Sequence, residues 1–125
     1  MSEQAQTGAI VWTDLTCENA DEVRDFYEKV VGWSVSDTSM GDYNDYTMCK
    51  PGGVDAVAGV CHARGSNKGL PPQWLIYVNV DDLNESMKHC EALGGSIVSG
   101  PAALAGGQFC VVSDPAGAVM ALFQP

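Results

Sequence analysis

A chain of 125 residues that is 46% hydrophobic has the size of one domain and is too apolar to remain disordered. Six basic and sixteen acidic residues give a formal net charge of -10, a field that repels DNA, RNA and anionic membranes. There is no signal-peptide pattern and no apolar run of about 18 residues, so the expected location is cytoplasmic, with no nucleic-acid or membrane partner.

Residues 1–9 read as a flexible N-terminus. The apolar run at 10–16 predicts a strand, and Glu18, Asn19 and Asp21 offer acidic and capping groups for a following helix. Val23, Phe26, Tyr27, Val30 and Val31 fall at helical spacing, and Gly32 can end that helix. Trp33 and Val35 open a second strand, Asp42–Asp45 a turn, and Tyr46–Cys49 a third strand. After Pro51-Gly52-Gly53 a fourth strand runs from about Asp55 to His62. Residues 63–73, with glycine, serine, asparagine and two prolines, form a linker without regular structure.

The same order then returns. Trp74–Val80 predicts a strand, and Asp82 caps a helix whose inner face holds Leu83, Met87, Cys90 and Leu93. Gly94-Gly95 stops it, and Ile97–Val98, Gln108–Val112 and Ala118–Phe123 supply three short strands, with a turn at Asp114–Gly117. The helix stops Gly32 and Gly94 lie 62 residues apart, so the chain reads as two similar modules. The predicted class is α+β: paired βαβββ modules, 10–62 and 74–125, forming one domain with curved mixed β-sheets and outer helices. Function is then expected in a cleft shared by the modules. Cys17, Cys49, Cys61, Cys90 and Cys110 contain no CxxC pair and read as buried free thiols.

This arrangement resembles the vicinal oxygen chelate superfamily of glyoxalases, bleomycin-resistance proteins and ring-cleaving dioxygenases. The resemblance is carried by Phe26-Tyr27 with Val31-Gly32-Trp33, Val80-Asp81-Asp82, Leu93-Gly94-Gly95, Asp114-Pro115 with Gly117, and Leu122-Phe123-Gln124-Pro125. Val11-Trp12, Pro71-Pro72-Gln73-Trp74 and the chain ending look most like glyoxalase-like proteins of undefined chemistry. The resemblance implies a small-molecule cleft and a homodimer. Enzymes of this family hold a divalent metal on inward His, Glu or Gln side chains. The matching positions here are Trp12, Ala58 or Gly59, Leu75 and Ala121, which carry no metal donor. No metal and no cofactor are therefore expected.

Two registers compete. Aligning the glycine stops pairs Trp12 with Trp74; aligning the strand-to-helix loops pairs Trp12 with Leu75. A one-residue slip reverses a strand's faces. The loop-corrected register is favoured, with Trp12 toward the cleft and Trp74 toward the helical layer. Candidate ligand-binding residues are then Trp12 and Asp14, Tyr46 and Met48, Leu75, Tyr77 and Asn79, Phe109, Ala121 and Phe123. Trp12 can stack on a planar ligand or simply fill the metal position. Asp14 can hold a cation, act as a base, or face solvent. Tyr77 and Asn79 offer polar groups in an apolar pocket, while Tyr46 and Met48 line either cleft or core. His62 is either a proton-transfer group or a strand-end surface residue. The expected function is binding of a small organic molecule without the usual metal. The alternatives are a metal-dependent lyase, isomerase or dioxygenase using Asp14, Tyr77 and His62, and a non-catalytic dimer.

Overall fold

The computed structural model describes residues 6–125. Its elements are β1 (Ile10–Cys17), α1 (Ala20–Val30), β2 (Ser34–Ser39), β3 (Asn44–Cys49) and β4 (Ala56–His62), then β5 (Trp74–Asn79), α2 (Leu83–Ala92), β6 (Ser96–Leu104), β7 (Gly107–Ser113) and β8 (Val119–Gln124). The class is α+β, with the βαβββ order present twice. The chain divides into two compact units, Thr13–Trp74 and Leu75–Pro125, the latter taking in the N-terminal segment up to Trp12. The division cuts β1, and the 63–73 connection, with one short 3₁₀ turn at Gly65–Asn67, belongs to the first unit.

In the first unit the strand order is β2-β3-β4-β1, antiparallel except for the parallel pair β4 and β1. Side chains alternate across a strand, so every second residue meets the helix. Leu15, Cys17, Tyr46, Met48, Ala58 and Val60 form that face and pack with Ala20, Val23 and Tyr27 of α1. Trp74 joins them: its indole N–H donates to the Tyr27 hydroxyl at 3.2 Å, and the two rings meet edge to face at 5.2 Å. The helical layer expected for Trp74 is thus where it lies. The expected apolar face of α1 was too wide. Phe26, Val30 and Val31 are 55%, 64% and 49% exposed, because a helix this short buries only the 20, 23 and 27 stripe against its strands.

In the second unit the order is β5-β8-β7-β6, with β5 and β8 parallel. Leu83, Cys110 and Val112 form the core beneath α2, joined by Met87, Cys90, Met120 and Leu122. Leu93 was expected on this face but is 75% exposed: it is the C-cap of α2, past the last turn that rests on the sheet. The Asp82 carboxylate accepts from the Glu85 N–H at 3.1 Å, as a helix cap does. Gln124 adds a second anchor, its side-chain oxygen accepting from the Leu83 N–H at 2.7 Å. The strand read at Ile97–Val98 runs on to Leu104, through Gly100 and Pro101. β6 is the last strand in the order and its register shifts there; an edge position tolerates a proline that cannot donate to the ladder.

Pairing starts earlier than expected. Gly8 N–H donates to the Asn79 carbonyl at 2.8 Å and Asn79 N–H to the Ala9 carbonyl at 2.9 Å. Residues 1–5 of the segment expected to be flexible lie outside the described residues.

Leu83→Ala is expected to cost roughly 2–5 kcal/mol, through lost burial and a residual cavity. Leu93→Ala should stay within about 0.5 kcal/mol, as an exposed substitution does. Urea denaturation of both variants checks the contrast, and equal losses would contradict the packing of α2 described above.

Candidate functional site

Each unit has a helix-free sheet face. In the first unit, alternation along β1 sets Asp14 and Thr16 opposite Leu15 and Cys17, which pack under α1. Asp14 pairs with Gly59 and Thr16 with Cys61, so Gly59 rather than Ala58 shares the Asp14 side. Asp14 and Thr16 are 9% and 1% exposed, so Asp14 is buried and does not face solvent. Burial first, and then the Asp14 and Asp45 carboxylates, hold the Cys61 thiol well above the usual range. Cys61 thus stays protonated, a poor nucleophile in an electronegative setting. The five cysteines are all free, and burial pushes the Cys110 thiol up to about 11.

Tyr46 and Met48, expected on the ligand side, lie beneath α1. Their cross-strand neighbours Val60 and Ala58 belong to the same core, and Met48 is fully buried. The Tyr46 hydroxyl donates to an Asp21 carboxylate oxygen at the start of α1. That oxygen also lies 3.3 Å from Nε2 of His62. Nδ1 of His62 stands 3.2 Å from the Asp45 carboxylate, which accepts the His62 backbone N–H at 2.8 Å. The Arg24 guanidinium covers the Tyr46 ring at 4.6 Å, and Arg64 covers Tyr43 at 3.9 Å. This chain of polar groups ties the first turn of α1 to β3 and β4. His62 is therefore neither a free surface side chain nor aimed at Asp14; it turns toward the helix.

Sequence reading named His62 but missed Asp21 and Asp45 as its neighbours. Asp45 was placed in a turn and Asp21 among helix-capping groups. The signal lies in the β3–β4 hairpin register, which brings Asp45 beside the end of β4.

In the second unit, Tyr77, Ala121 and Val111 stand side by side across β5, β8 and β7, and Asn79, Phe123 and Phe109 form the next row. The alternating residues Leu122 and Cys110 pack under α2, so these rows occupy the helix-free face. Leu75, Tyr77, Asn79, Phe109 and Ala121 are at most 4% exposed, and the Tyr77 and Phe109 rings lie 6.0 Å apart. The face is apolar and aromatic, with Asn79 its amide.

A resident metal does not fit this residue set. Among the described residues no group of three or more His, Cys, Asp or Glu side chains is placed to hold a metal ion. Gly59, Leu75 and Ala121 have no side-chain donor, and Trp12 offers only an indole N–H. Among the described residues, no helix is long and apolar enough to cross a membrane.

Two mixed βαβββ units with a helix on one face define a glyoxalase-type fold. The model of the Glyoxalase/Bleomycin resistance protein/Dioxygenase superfamily matches residues 9–122, and the chain belongs to that superfamily. It is 33% identical over 121 residues to "Putative glyoxylase CFP32" of Mycobacterium bovis, covering 96% of this chain and 45% of that protein. It is 29% identical over 129 residues to the Anthracycline biosynthesis protein DnrV of Streptomyces peucetius, covering 94% of this chain and 47% of that one. The chain thus spans less than half the length of these curated relatives. The crystal structure of methylmalonyl-CoA epimerase from Mycobacterium tuberculosis shares the fold, with a TM-score of 0.54 at 15% identity, covering 100% of this chain and 93% of that one.

The Asp21 carboxyl sits below its ordinary value of 3.8, chiefly because the Tyr46 hydroxyl donates to it and then because His62 and Arg24 lie near. Its contribution to stability is fully present above that ordinary value and is lost as pH falls through the lowered folded value. In Tyr46→Phe the Asp21 carboxyl is expected to titrate at higher pH than in the wild type. Side-chain carboxyl NMR across acid pH measures this, and an unchanged titration would remove the hydroxyl as the cause.

Proposed function

We propose that the protein binds a small, partly apolar organic molecule, without a protein-bound metal, on the helix-free face of the second unit. The residues assigned to the ligand are Trp12, Leu75, Tyr77, Asn79, Phe109, Ala121 and Phe123, all of that unit; Asp14 belongs to the first unit and is not assigned to this site. One observation carries the reading: the helix-free face of the second unit is aromatic and aliphatic with Asn79 as its amide, and Trp12, Leu75 and Ala121, where the resemblance implies metal ligands, carry no metal donor. Aromatic side chains give broad contact area and favour planar organic partners. The relatives' names add support, one a glyoxylase and one an anthracycline biosynthesis protein. Tyr46 and Met48 drop out of the proposed contacts, since a ligand would have to displace α1 to reach them.

The competing reading, a metal-dependent lyase, isomerase or dioxygenase, needs Asp14, Tyr77 and His62 to act together. Support for it is weaker, because His62 turns to Asp21 under α1 while Asp14 lies on the other side of the strands. The proposal extends to a cytoplasmic homodimer. Five free cysteines suit a reducing compartment, and the much longer relatives have room for a second unit pair that another copy would supply here.

Calorimetry with a panel of planar aromatic and α-dicarbonyl compounds tests the binding reading. Trp12→Ala is expected to weaken the best binder about tenfold, or ~1.4 kcal/mol. Metal analysis of the protein purified without chelators separates the alternatives: stoichiometric Ni, Zn, Fe or Mn coordinated by protein donors would overturn the metal-free reading. Sedimentation equilibrium showing a monomer at every concentration would remove the homodimer.

A further inference from the structure

The connection from β4 to β5 forms a strap with its own internal bonding. Asn67 N–H donates to the Arg64 carbonyl, Lys68 N–H to Gly65 and Leu70 N–H to Asn67. Gly65 and Gly69 adopt φ of +60 and +86, which glycine takes without strain. The strap is held to the rest of the first unit by the Ala63 N–H, which donates to the Cys17 carbonyl at 3.0 Å, by Arg64, which pairs with Asp42 at 3.4 Å and covers Tyr43, and by Leu70, buried to 7% exposure. Between the strap and the junction of β1 with α1 lies a cavity of about 500 Å³. That volume falls in the range of small-molecule sites. None of Trp12, Asp14, Leu75 or Tyr77 lines it, so it is separate from the face assigned above.

The lining has a definite chemical character. Leu70 and Pro72 supply apolar surface, and Thr16, almost fully buried, supplies a hydroxyl that can donate or accept. Glu18, at the β1–α1 end, and Lys68, on the strap, are both exposed lining residues. Among the described residues neither side chain takes part in an ion pair. A simple cation would meet Lys68 and a simple anion would meet Glu18, each with like-charge repulsion. A molecule bearing both charges satisfies both.

We propose that this cavity is a second binding site, for a small zwitterion with an apolar body, of amino-acid or short-peptide type. Its ammonium pairs with Glu18, its carboxylate with Lys68, and its apolar part rests on Leu70 and Pro72. Binding fastens the strap to the start of α1, beside the bond that Ala63 makes to Cys17 at the end of β1.

Amide NMR titration of the full chain with L-leucyl-L-leucine, its N-acetyl form and its C-terminal amide tests the site. The free dipeptide is expected to shift Thr16, Cys17 and Leu70, and each blocked form to bind about fivefold more weakly, the scale of one exposed ion pair. Glu18→Gln should remove the discrimination against acetylation alone, and Lys68→Met that against amidation alone. Equal binding of all three dipeptides would overturn the proposal. So would shifts centred on Tyr77 and Phe109, or no shift at the dipeptide's solubility limit. Because the blocked dipeptides are compared on the wild-type protein, that comparison decides the matter even if a variant folds poorly.

Discussion

The parallel pairing of β1 with β4 decides the character of every surface in the first unit. With Leu15 beside Val60 and Asp14 beside Gly59, the apolar alternates meet α1 and the polar alternates turn away from it. A slip of one residue would drive Asp14 and Thr16 under the helix and take Leu15 and Cys17 out of its core. The register is therefore held by the packing of Leu15 and Cys17 with the residues of α1.

The two modules share an order of elements but fasten their helices differently. α1 rests on Ala20, Val23 and Tyr27, and its first turn is tied to the strands by the Asp21, His62 and Tyr46 groups. α2 rests on Leu83, Met87 and Cys90, and its first turn is fixed by hydrogen bonds from Asp82 and Gln124. Charged groups thus anchor one helix and neutral or capping bonds the other. Duplication of a fold leaves the chemistry of each copy free to diverge once the apolar pattern is kept.

That divergence bears on the superfamily's metal chemistry. A divalent ion needs several oxygen or nitrogen donors converging at fixed distances. In this chain Asp21 and Asp45 of the first unit are engaged with His62, and the helix-free face of the second unit is built from aromatic and aliphatic side chains with the Asn79 amide. The fold does not by itself fix that chemistry; the side chains placed on it do.

The sequence by itself determined the α+β class, the doubled element order and the helix stops. Each of these is local: periodicity of two or of 3.6, a capping aspartate, a glycine that takes positive φ at Gly32 and Gly94. The non-donor character of Trp12, Leu75 and Ala121 was equally legible, because side-chain chemistry does not depend on the fold. The placement of Tyr46 and Met48 under α1, the exposure of Phe26 and Leu93, and the long path of β6 through Pro101 were decided only by tertiary structure. In each case the period gave two faces without saying which one a neighbour would cover. The enclosure of His62 by Asp21 and Asp45, and the cavity beneath the 63–72 strap, depended on the same level, since they join groups far apart in sequence that only strand pairing and helix packing bring together.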